Sequence, residues 1–164
     1  MSDEFEREDD GYLPPCGIYR TGRSLPGEEE HLPSGRLVFF HNHSDAGPPI
    51  VCCPDENRNN RWRFQTDGHV VDDPDFIAAL EPLMAEGLYV LKQHLHLSET
   101  EVLPDRTLVQ LGYNRNAEPI LFAGRFDENS IHFPASGYGF DTIKIFDNLE
   151  PVNFLVPDRV DEPH

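Results

Sequence analysis

Arg61-Trp62-Arg63-Phe64-Gln65-Thr66-Asp67-Gly68-His69-Val70-Val71 alternates in residue type, meets Asp-Gly, and resumes with a β-branched run. Alternation with period two sends successive side chains to opposite faces, the pattern of a half-buried strand. Asp-Gly between two such runs reads as a two-residue hairpin turn, because both turn positions need φ > 0. The same short-strand texture continues outward in both directions. Further strands are expected at 17–21, 36–43 and 49–53 on one side. On the other side they are expected at 88–97, 107–113, 120–126, 130–133 and 153–156. Asn114 to Pro119 joins two of these runs as a second hairpin.

Helical signals are few. Asp73-Pro74 supplies a capping side chain followed by proline at the first helical position, with Phe76, Ile77 and Leu80 on one side and Pro82 as the stop. Asp141 can cap a second short helix through Leu149, with Phe140 packed against Ile145. The expected fold is therefore mainly β: an antiparallel barrel or sandwich of about nine short strands with two short helices. Residues 1–15 hold six acids and one Arg ahead of the body, and read as an acidic disordered tail. Residues 16–157 read as a single β-rich domain, and 158–164 as an acidic C-terminal tail.

Thirty acids against thirteen Lys and Arg give a net charge of −17. A field of that sign repels phosphate backbones and anionic membranes, so direct nucleic-acid binding is disfavoured and a basic protein surface is the expected partner. The surplus is not confined to the ends, since residues 35–157 carry eighteen acids against nine bases. The three cysteines, Cys16, Cys52 and Cys53, are odd in number and two are adjacent, which is no disulfide framework. No apolar run approaches a membrane span, and the acidic start is the opposite of a signal peptide. A cytoplasmic location is expected.

Two constellations could carry chemistry. The His-x-His pairs His41/His43 and His94/His96 each project two imidazoles from one strand face, and two such strands side by side could hold one transition metal ion. In the run 89–97 the alternation puts His94 and His96 with Lys92, away from Leu91, Leu95 and Leu97. The second constellation is basic and aromatic: Arg58, Arg61, Trp62 and Arg63, with Tyr113 and Arg115 at the other hairpin. Planar guanidinia beside aromatic rings suit a ligand or partner rim, or they pair with the abundant acids.

Nucleophilic chemistry has little support. Asp55 and Glu56 stand beside Cys52-Cys53 and would raise a thiol pKa. No Gly-x-Ser-x-Gly, phosphate-binding loop or dinucleotide fingerprint occurs. The reading that follows is a β domain acting as a protein-binding or assembly module. A small metal-dependent β-barrel enzyme using the four histidines is the alternative, and an acidic DNA mimic is a third.

Overall fold

The computed structural model describes residues 13–42, 47–140 and 143–152. Among them are sixteen short strands. The first eight are β1 (Gly17–Arg20), β2 (Leu37–His41), β3 (Ile50–Cys52), β4 (Pro54–Arg58), β5 (Arg61–Phe64), β6 (His69–Val70), β7 (Glu81–Pro82) and β8 (Gly87–Leu91). The rest are β9 (Leu95–His96), β10 (Val102–Leu103), β11 (Leu108–Tyr113), β12 (Pro119–Ala123), β13 (Arg125–Asp127), β14 (Ser130–His132), β15 (Tyr138–Gly139) and β16 (Leu149–Pro151). One α-helix, α1 (Pro74–Ala78), lies between β6 and β7, and a 3-10 helix (Ile143–Asn148) precedes β16.

Every pairing is antiparallel, so the mainly β expectation holds. Two five-stranded sheets carry the fold, in the orders β6-β3-β2-β1-β7 and β15-β12-β11-β8-β16. Three two-stranded ribbons, β4-β5, β9-β10 and β13-β14, complete it. Neither five-stranded sheet closes on itself, which removes the barrel. The strand count exceeds the expected nine because bends cut long apolar runs into separate pieces. The run 88–97, for example, breaks at Lys92-Gln93 into β8 and β9.

Each face of β2 serves a different core. Val38 and Phe40 point into a cluster with Tyr19, Val51, Leu25, Leu32 and the α1 residue Phe76. Leu37, on the opposite face, joins Leu91, Val109, Leu111, Tyr113 and Leu121 of the second sheet. Burial on both sides explains why this strand reads as a nearly continuous apolar run. α1 forms as its sequence dictates: Asp73 Oδ1 accepts from the Asp75 and Phe76 amides at 2.9 and 3.3 Å, with Pro74 first in the helix.

The opening hairpin is not where Asp-Gly put it. β5 pairs with β4, and β6 pairs with β3. Asp67-Gly68 instead carries the chain from the ribbon back to the first sheet. Its glycine is required by proximity: a Cβ there would lie 3.0 Å from Ile50 Cδ1 and 3.1 Å from Cys52 Sγ. The true turn is Asn59-Asn60, with φ of 53° and 66°, closing β4 onto β5 with Arg58 opposite Arg61. Asparagine tolerates the left-handed region that such a turn needs at both positions. The second expected hairpin is present as β11-β12, with Tyr113 opposite Pro119.

The second helix is a 3-10 turn, and its expected Asp141 cap lies outside the described residues. Outside them too are residues 1–12, the whole of the expected strand 153–156 with the chain beyond it, and His43.

Candidate functional site

His41 and the His94/His96 pair sit on different elements of the fold. His41, on β2, lies against Phe39 with 4.5 Å between ring centroids. His94 and His96 are exposed beside the β9-β10 ribbon, their rings edge-on at 5.1 Å. With His43 outside the described residues, the four-histidine set is incomplete in the structure. Among the described residues, no group of three or more His, Cys, Asp or Glu could hold a metal ion.

The basic aromatic residues meet, but with partners of their own. Arg58 Nε lies 3.0 Å from Glu56 Oε2, while Arg63 reaches Glu56 Oε1 at 3.0 Å and Asp55 Oδ2 at 3.3 Å. Such exposed pairs contribute about 0–1 kcal/mol each, so they orient side chains more than they stabilise the fold. Tyr113 belongs to the core, 2% exposed, because it shares a β11 face with Val109 and Leu111. Its hydroxyl donates to the Met84 carbonyl at 2.6 Å, and burial pushes its pKa far up. Trp62 Nε1 donates to the Tyr113 carbonyl at 2.7 Å, and the Arg115 guanidinium lies over the indole at 4.8 Å. Trp62 and Arg115, which the sequence set 53 residues apart, are therefore in direct contact.

Arg115 also borders a cleft of about 270 Å³ that the sequence did not reveal. His31, Arg36, Cys53, Gln65 and His69 line it as well. These residues come from the loop before β2, the single residue between β3 and β4, the segment after β5, and the start of β6. No local pattern joins positions so far apart; only the tertiary pairing does. The Cys53 thiol points at the His31 carbonyl, 3.9 Å away. Burial pushes that thiol pKa up, and the charges of Arg36 and Arg115 offset the rise only in part. Cys53 is thus a neutral thiol at neutral pH, not an activated nucleophile.

The second notable surface is apolar. Phe126 on β13 is 72% exposed and Ile131, directly opposite on β14, is 47% exposed. Arg125 and Asp127 flank Phe126, and both strands of this ribbon are solvent-facing throughout.

No protein-family model, curated protein or solved structure matches the chain. No helix among the described residues is long and apolar enough to cross a membrane.

Proposed function

We propose that the protein is a recognition module that docks another protein through the β13-β14 ribbon. The observation that carries this reading is the Phe126–Ile131 pair. Residues directly opposite in an antiparallel ribbon share one face, so the two side chains form a single apolar patch. A lone exposed Leu or Phe is ordinary, but a cross-strand pair on a two-stranded ribbon is not. Such a ribbon is marginal by itself, and burying a Phe side chain is worth about 1.5–3 kcal/mol. A partner that covers the patch gains that burial and steadies the ribbon at once.

The partner's chemistry follows from charge. Asp127 and Glu128 stand beside the patch against one cation, Arg125, and the chain carries thirty acids against thirteen Lys and Arg. An apolar pocket rimmed by Lys and Arg complements both features, with the charges setting encounter rate and specificity. The two five-stranded sheets act as a sandwich-like scaffold behind the ribbon. All three cysteines are free, which suits a reducing compartment, so we place the module in the cytoplasm.

Phe126→Ser tests the reading. Its melting temperature should match the wild type, since the ring is mostly in water. Both forms would be immobilised and exposed to the same cell extract. A basic protein held by the wild type, released by rising salt and not held by Phe126→Ser is the expected result. Identical retention by the two forms would overturn the proposal, and so would retention of nothing.

A further inference from the structure

Two arginines distant in sequence are fastened side by side at the cleft. The Leu37 amide donates to the Arg115 carbonyl at 2.9 Å, tying the residue after Arg36 to the β11-β12 turn. Thr21, only 1% exposed, fixes the other side of Arg36. Its hydroxyl accepts from the Arg36 amide at 2.9 Å and donates to the Pro33 carbonyl at 2.7 Å. Its own amide donates to the Arg36 carbonyl at 2.9 Å. The Arg115 guanidinium is positioned by the Pro54 carbonyl at 3.2 Å and by the Trp62 face.

Neither guanidinium pairs with a carboxylate among the described residues. Arg20, Arg58, Arg63 and Arg106 all do. Arg23, Arg61 and Arg125 have no such pair among the described residues either; what sets Arg36 and Arg115 apart is that both line one cleft. Further polar groups surround them. His31 and His69 stack with centroids 6.0 Å apart and planes 25° apart. Gln65 is held beside Cys53 by its amide on the Cys53 carbonyl at 2.9 Å. One carboxylate, Glu30, also borders the cleft, and Glu28 lies 3.6 Å from His69 Nδ1.

We infer that this cleft binds a small phosphate-bearing molecule, with Arg36 and Arg115 as the two cationic arms. A guanidinium offers a fork of donors matched to an oxyanion. A planar carboxylate saturates a single fork, whereas a tetrahedral phosphate has oxygens for two forks and for the imidazole and amide donors beside them. The volume, about 270 Å³, is enough for a small phosphate ester. The net negative charge of the protein does not forbid the site. Its distant carboxylates are screened beyond about 8 Å at physiological ionic strength, so the local potential is set by the two guanidinia against the nearby Glu30 and Glu28.

Trp62 is the only tryptophan and carries Arg115 on its face, so its emission reports the site directly. The full chain would be titrated with inorganic phosphate, a sugar phosphate and acetate. At least one phosphate probe should change the emission saturably, and the better of the two tells free phosphate from an ester. Acetate should bind at least ten-fold more weakly. Arg36→Gln, an exposed change that breaks no ion pair, should keep the melting temperature and weaken phosphate binding at least ten-fold. The bound probe should also slow alkylation of Cys53, read by peptide mass, in the wild type and not in Arg36→Gln. No saturable change with any probe, equal binding by Arg36→Gln, or acetate binding as well as phosphate would each overturn the assignment.

Discussion

Glu86 places its carboxylate under the Trp62 amide, accepting at 3.1 and 3.4 Å, in a half-buried position. Burial pushes its pKa above the ordinary 4.5, and the Trp62 amide and Arg61 charge only partly offset that rise. The sign of the stability effect follows. A folded pKa above the unfolded one means that the folded state keeps a proton the unfolded chain has already released. Folding therefore carries a penalty at neutral pH, and the penalty disappears once the pH falls below the ordinary glutamate value. Glu86→Gln keeps an acceptor for the Trp62 amide and removes the charge. It should melt higher than the wild type at pH 7, with the gap closing as the pH approaches 4. A lower midpoint at pH 7 would mean that the charge interacts favourably with Arg61 by more than its burial costs.

α1 is a five-residue helix whose formation rests on one side chain and one ring. Asp73 satisfies two amides of its first turn, and Phe76, 1% exposed, locks the helix into the first sheet's outer core. Asp73→Ala should cost about 1 kcal/mol, read as a fall in the urea midpoint with an unchanged slope. No shift would show that tertiary packing of Phe76 alone sets the helix. Elements of this kind were legible in the sequence because cap, proline and apolar face all lie within a few residues. The β11-β12 hairpin was legible for the same reason: Asn114 Oδ1 accepts from the Asn116 and Glu118 amides at 2.9 and 3.0 Å, a closed local device. The β4-β5 hairpin was not. Asn59-Asn60 makes the turn without the glycine that usually marks it, while Asp67-Gly68 displays the signal and does not turn. The cleft was less legible still, since Arg36 and Arg115 meet only after β2 docks against the β11-β12 turn.

At the scale of the whole molecule, charge is the property that the sequence stated most plainly and the fold relieves least. Among the described residues, the arginine–carboxylate pairs engage Glu81, Glu56, Asp55 and Glu150. Four carboxylates are few beside the nineteen among the described residues. Compaction brings the remaining acids closer together than in the unfolded chain, so self-repulsion opposes folding. The Debye length falls from about 30 Å at 0.01 M salt to about 3 Å at 1 M, which removes most of that repulsion while taking little from weak, exposed pairs. The melting temperature should therefore rise by several degrees between 10 and 500 mM sodium chloride. A fall would mean that the few ion pairs outweigh the surplus. Arg36→Gln separates screening from anion binding at the cleft: it makes the chain one unit more negative, so screening predicts an equal or larger rise. If the rise is lost in that variant, chloride held by the two guanidinia, and not relief of repulsion, is what salt supplies.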